Sequence, residues 1–153
     1  MPESRVRVMP AEIGGGFGGK TRVYLTPLAA MLSKKSNRPV KMVMDRPSVF
    51  DATGPAPGGK VIVKMGVSND GKIQSSSVDL KFEARAFPGS AVAAGSVCCL
   101  ACYNIPNIQV DAFDVLVNKP KSAAYRAPGS PQVSFAVESV ICLLYTSPSP
   151  RDS

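Results

Sequence analysis

The stretch Ile13-Gly14-Gly15-Gly16-Phe17-Gly18-Gly19-Lys20-Thr21 constrains this chain more than any other. Five glycines in six positions remove nearly every Cβ from a loop, which can then enter positive φ and lie close against a ligand. Its successive N–H groups can converge on an anion or an electronegative ligand atom, because no side chain stands in the way. A segment that needed only flexibility would have little use for a phenylalanine in its middle. The stretch therefore reads as a binding loop rather than a linker.

Taken literally, Gly14 to Thr21 also matches G-x-x-x-x-G-K-T, the phosphate loop of nucleotide hydrolases. Lys20 would then reach the β/γ-phosphates and Thr21 would hold Mg²⁺. That fold needs a continuously apolar strand running straight into the loop and a helix opening at the lysine. Here Arg5 and Arg7 alternate with valines, Pro10 and Glu12 intervene, and Pro27 would fall inside the helix. A P-loop ATPase or kinase stands as the alternative reading of Gly14–Thr21.

The remainder is patterned as mixed strands and short helices. Val6–Met9 alternates like a strand that Pro10 ends. Thr26-Pro27 gives an N-cap followed by proline, the start of a short helix that Asn37 stops. Val40–Met44 reads as a second strand, and Arg46 to Gly59 as a Pro/Gly-rich connection with little regular structure. The clearest signal is a hairpin. Val61, Val63, Met65 and Val67 alternate, Asn69-Asp70-Gly71 turns, and Val78, Leu80, Phe82 and Ala84 alternate on the return. Ser90 to Cys102 suggests a helix capped by Ser90, Ile108 to Val117 a further strand, and Ser130-Pro131 opens a helix with Val133, Val137, Val140 and Ile141 on one face.

With 153 residues, 44% apolar and 19% charged, the chain suits one globular domain and excludes a disordered one. The net charge of +7 is spread over scattered lysines and arginines, so it marks a solvated basic surface and not a nucleic-acid site. Cys98, Cys99, Cys102 and Cys142 form no disulfide framework, histidine is absent, and three of the four lie in an apolar stretch as small core side chains. Reduced thiols fit a cytoplasmic protein, and no apolar run reaches the ~20 residues of a membrane span. From Leu143 the pattern gives way to a Ser/Pro tail resembling translated adapter sequence, and the first strand starts within a few residues of Met1. Residues 142–153 are therefore set aside as a non-native tail, and both ends read as cut.

A second motif selects between the two chemistries of the loop. Ser122-Ala123-Ala124-Tyr125-Arg126-Ala127-Pro128-Gly129-Ser130-Pro131-Gln132 is a rigid turn that carries one arginine into a capped helix. Together with Gly14–Lys20 and Cys102-Tyr103-Asn104-Ile105-Pro106-Asn107, it closely resembles the xanthine dehydrogenase/aldehyde oxidase family of molybdenum hydroxylases. The resemblance implies an α+β fold, with residues 1–141 an incomplete part of the molybdopterin-binding domain of the large subunit. It implies a molybdenum–molybdopterin cofactor, with iron–sulfur clusters and FAD on partner subunits or in further sequence. The reaction implied is oxidation of an aldehyde or N-heterocycle with water as oxygen source.

The family's backbone contacts to the oxo side of the centre fall on Gly15, Gly16, Phe17 and Gly18. The segment that the family uses on the pterin and metal side corresponds by the resemblance to Ala124, Tyr125 and Arg126. Aligned N–H groups in a dry site stabilise negative charge, and a guanidinium offers a permanently charged donor fork. At the substrate pocket the chain departs from the purine-oxidising members. Thr21 stands where they carry a glutamate, and Ala127-Pro128 where a Gly-Phe pair stacks on the heterocycle, so a non-purine substrate is expected. The family's general base is a glutamate outside the matched stretch. Glu12, Glu83 and Glu138 lie in no matching motif, and the catalytic residue stays unknown.

Overall fold

The computed structural model describes residues 2–146. After 3-10 turns at Glu3–Arg5 and Gly19–Thr21, the chain runs through α1 (Thr26–Ser36), α2 (Arg46–Ala52), β1 (Gly59–Val67), β2 (Ile73–Arg85), α3 (Val92–Cys98), β3 (Asn107–Leu116) and α4 (Ser130–Thr146). The class is α+β, as the patterning predicts. The hairpin forms as read: β1 and β2 are antiparallel, with Val61 opposite Leu80 and Val63 opposite Val78. β3 then pairs parallel to the other edge of β2, with Val78 opposite Val110 and Leu80 opposite Ala112. Parallel neighbours need a crossover, and the α3 segment supplies it.

β2 is the middle strand, and its alternation becomes the core. Val78, Leu80, Phe82 and Ala84 are buried, and Val133 and Val137 of α4 with Val92, Cys99, Leu100 and Ile105 close over them. Cys99 is buried and Cys98 half-buried, as their sequence context suggests, but Cys102 and Cys142 are exposed. Burial pushes the Cys99 thiol up, which disfavours a reactive thiolate. Among the described residues, no group of three or more potential metal-ligating side chains gathers, and no helix is long and apolar enough to cross a membrane.

Several sequence expectations are corrected. Val6–Met9 and Val40–Met44 have strand-like alternation but form no strand, because neither finds a ladder partner among the described residues. Arg46–Ala52 is a helix, not an irregular connection. Asp45 caps it by accepting from Ser48 N at 2.9 Å, and Pro47 sits in its first turn. α3 starts at Val92 and stops at Cys98, shorter than Ser90–Cys102. Ser90 still contributes by accepting from Val92 N at 3.3 Å. α1 begins at Thr26 with Leu25 in the cap position, one residue earlier than read. α4 extends through Thr146, so residues 142–146 of the expected tail are helical; 147–153 lie outside the described residues.

The loop from β2 to α3 is anchored across the sheet by Asp114, which accepts from Gly89 N at 2.6 Å and Ser90 N at 3.0 Å. Burial acts to raise this carboxyl's pKa. The hydrogen bonds from Ser90 and Gly89, with the Lys121 charge nearby, outweigh it and hold the group below the ordinary carboxylate value. A depressed native pKa stabilises the fold above the unfolded-state pKa and loses that contribution as pH falls through the native value. Acid unfolding of Asp114→Asn is therefore expected to show a shallower pH dependence below pH ~4 than the parent. Stability curves of the two proteins that run parallel through this range would remove Asp114 from the acid transition.

Candidate functional site

The glycine loop is a closed, irregular turn. Gly14, Phe17 and Gly18 have φ of 59°, 49° and 89°. Gly19 N donates to Gly16 O at 2.9 Å, and the Thr21 hydroxyl donates to Gly18 O at 2.8 Å. The Lys20 ammonium folds back onto Ile13 O and ties the neck of the loop. This geometry removes the P-loop reading. Gly19–Thr21 is a single 3-10 turn with Lys20 off helical dihedrals (φ −91°, ψ 16°). The first α-helix opens only at Thr26; the Thr21 hydroxyl donates to Gly18 O, and Lys20 turns one of its three N–H donors to Ile13 O.

The second segment meets this loop directly. Arg126 N donates to Phe17 O at 2.7 Å, joining two motifs about 110 residues apart. A Cβ built on Gly18 would lie 3.5 Å from Ala124 O and 3.6 Å from Ala124 Cβ, so the two backbones run in contact. Behind the contact, Ser122 is buried and donates from both N and Oγ to Ala84 O, at 3.4 and 3.3 Å. The end of β2 thus carries the Ala124–Arg126 segment to the loop. Arg126 (φ 21°) and Ala127 (φ 54°) hold uncommon backbone conformations of the sort that concentrate at functional sites.

What the pair of segments presents is a set of donors. Among the described residues, the N–H groups of Gly15, Gly16, Phe17 and Gly18 have no hydrogen-bond partner, nor has the Arg126 guanidinium. Four unpaired N–H groups on a loop nearly bare of side chains suit an oxo-rich or anionic group. Arg126 N itself is occupied by Phe17 O, so this residue can offer a ligand its side chain. Thr21, Ala127 and Pro128 are exposed beside these segments. An adjoining apolar cavity of about 500 Å³ has Gly19, Lys20, Tyr24, Phe50, Ala124 and Tyr125 in its wall. Gly15–Gly18 and Arg126 do not line it.

Of the glutamates considered as a base, Glu12, Glu83 and Glu138, none is poised for the role. Glu83 is paired with Lys119 at 2.9 Å, Glu138 accepts from the Tyr103 hydroxyl, and Glu12 is exposed on the irregular N-terminal segment. The Glu138 hydrogen bond is the main reason that the Tyr103 phenol is pushed up to about 12.

Comparison with known proteins accounts for the joined motifs. The family model described as molybdopterin cofactor-binding domain matches residues 1–144. The chain belongs to this family. Relatives are the nicotinate dehydrogenase large molybdopterin subunit of Eubacterium barkeri, 33% identical over 90% of this chain and 33% of that protein, and the xanthine dehydrogenase molybdenum-binding subunit of Escherichia coli O157:H7, 34% identical over 92% of this chain and 19% of that one. The fold is shared with quinoline 2-oxidoreductase from Pseudomonas putida 86 at a TM-score of 0.79 and 24% identity, covering 88% of this chain and 18% of that one. The chain therefore spans about a third or less of these proteins. The molybdopterin-binding domain is the fold in which the glycine loop and the Ala124–Arg126 segment meet.

Tyr24 and Gly54 are neighbours of the candidate site that the sequence reading did not single out. The Tyr24 hydroxyl is held by Thr53 O and lies 3.3 Å from Gly19 O, while Gly54 packs under Ala123. Their only sequence signals are an aromatic just after the glycine motif and a glycine after a short helix.

Proposed function

We propose that the protein carrying this chain is a molybdenum hydroxylase that oxidises an aldehyde or N-heterocycle, with water as the source of oxygen. The observation that supports it best is the Arg126 N to Phe17 O bond, which brings both family segments, with their unpaired donors, into contact. When bound, the molybdenum–molybdopterin group supplies the two-electron redox chemistry. The chain's own residues do the holding. The N–H groups of Gly15, Gly16, Phe17 and Gly18 offer preorganised partial positive charge to oxo ligands and to negative charge developing on the substrate carbonyl oxygen. Ala124, Tyr125 and Arg126 take the pterin side, where the Arg126 guanidinium pairs with anionic oxygens without titrating. The base is assigned to a region of the enzyme other than this chain, since Glu83 and Glu138 are paired and Glu12, exposed just before the loop, lies in no matching motif. Electrons leave through iron–sulfur and FAD partners, as the family resemblance implies.

For the substrate, Thr21 offers no carboxylate and Ala127-Pro128 no aromatic ring to stack on a purine. A site that lacks the groups that hydrogen-bond a substrate has no strong hold on it. The complete enzyme, purified with cofactor, is expected to show kcat/KM for xanthine roughly 100-fold or more below that for its best aldehyde or pyridine-type substrate. Metal analysis alongside should find about one molybdenum per large subunit. Comparable kcat/KM for xanthine would overturn the substrate assignment, and absence of molybdenum would overturn the function.

A further inference from the structure

Three segments converge on the candidate site, and hydrogen bonds join them pairwise into a closed triangle. The first side is Arg126 N to Phe17 O at 2.7 Å, between the glycine loop and the Ala124–Arg126 segment. The second is Ala123 N to Pro55 O at 3.3 Å, between that segment and the turn after α2. The third runs from the stretch just after the glycine loop to the same turn. The Tyr24 hydroxyl donates to Thr53 O and lies 3.3 Å from Gly19 O. A hydroxyl has one proton and these are two carbonyls, so the ring pins both chains with a single donor.

The corner at Gly54 is tight. Its φ is +72°, and a Cβ there would sit 2.6 Å from Ala123 Cβ and 2.9 Å from Lys121 O. The turn therefore presses on Lys121–Ala123, the residues that lead into the Ala124–Arg126 segment. Thr53 O belongs to the C-terminal end of α2, where helix carbonyls lack intrahelical partners. Without Tyr24 that acceptor would lose its donor. Two sides of the triangle are backbone to backbone, and the third alone depends on a side chain.

We infer that Tyr24 is a positioning residue: through Gly19 and Thr53 it fixes the relative placement of Gly15–Gly18 and Ala124–Arg126, and so the geometry in which the loop donors meet the cofactor. This rests on the molybdenum-hydroxylase reading above. The Tyr24 ring lines the adjoining cavity and its hydroxyl is committed to backbone, so the residue acts on the site through the two segments it joins.

The test is Tyr24→Phe in the holoenzyme, which removes the hydroxyl and keeps the ring. With a displaced donor set but intact substrate contacts, kcat per bound molybdenum should fall roughly 10-fold while KM stays within about twofold. In protein from a host that makes no molybdopterin, amide hydrogen exchange should rise in peptides covering 13–24, 53–56 and 122–127, and stay unchanged in the hairpin 59–85. Gly54→Ala, which breaks another corner, should give the same kinetic signature. The double variant should be less than additive. Unchanged kcat per molybdenum in Tyr24→Phe, or faster exchange confined to 20–24, would overturn the inference and leave Tyr24 a local packing residue. If the parent holoenzyme holds no molybdenum, the functional reading fails. The exchange measurement would then still decide whether Tyr24 holds the three segments together.

Discussion

Replacing Gly18 by valine is expected to empty the cofactor site of the complete enzyme. Gly18 has φ +89°, where a β-branched residue is strained by about 1–3 kcal/mol. The Cβ position already stands 3.5 Å from Ala124 O and 3.6 Å from Ala124 Cβ, an ordinary contact. Alanine would therefore add strain without a collision. Valine would drive its γ-carbons into Ala124, adding on the order of 1–3 kcal/mol of overpacking. The relief available is to part the loop from the second segment, and that breaks the Arg126 N to Phe17 O bond. Molybdenum content should fall at least roughly tenfold in Gly18→Val and at least roughly fivefold less than that in Gly18→Ala, because the valine's extra ~1–3 kcal/mol is worth about 5- to 150-fold at tenfold per 1.4 kcal/mol. Circular dichroism should stay near that of the parent, because the hairpin core around Phe82 lies elsewhere. Full molybdenum loading of the valine variant would mean that the two segments need not touch for the cofactor to bind.

The contact between Gly18 and Ala124 also shows where sequence reading reaches its limit. The hairpin is legible because Val78, Leu80, Phe82 and Ala84 alternate over a strand whose inner face is fully buried. Where one face is buried, pattern and register agree. α1 and α4 are legible because Thr26-Pro27 and Ser130-Pro131 mark their starts, although both Thr26 and Ser130 fall in the first turn and the α1 cap position is Leu25. The same kind of signal stands at Asp45-Arg46-Pro47, but the Pro/Gly-rich stretch around it masks the helix. Val6–Met9 and Val40–Met44 alternate as convincingly as β1 does. Alternation records what a strand would bury, and it says nothing of whether a partner strand is there.

The motifs single out Gly15–Gly18 and Ala124–Arg126, yet nothing in either predicts that Phe17 O and Arg126 N bond. That juncture depends on β2 ending at Arg85 and on Ser122 returning to Ala84 O. Tyr24 and Gly54 are invisible in the sequence for the same reason. Each acts on backbone far away along the chain, so no local spacing encodes the role.

The largest expected effect concerns the described residues expressed by themselves. Among them, none before Gly54 is buried, and α1 has no buried residue in its 11. Val8 is 75% exposed, Met9 71%, Met31 69% and Val43 79%, along a segment that includes the glycine loop. Soluble monomers seldom leave so much apolar side chain in contact with water without a partner surface. The loop is thus held to the α+β core only at its junctions with Ala124–Arg126 and Thr53. Gly15 and Phe17 of the loop are exposed and Gly16 and Gly18 only half-buried, so water competes for its donors and they give little electrostatic stabilisation. Residues 2–146 made in a host that synthesises molybdopterin are therefore expected to self-associate and to bind under about a tenth of an equivalent of molybdenum, with no dye-linked aldehyde oxidation. Light scattering after gel filtration, dye binding to exposed apolar surface and metal analysis would check each part. A monodisperse monomer with one molybdenum per chain and measurable turnover would show that the enclosed site and its base are contained within these residues. Glu12, Glu83 and Glu138 would then need re-testing as the base, each by substitution with glutamine.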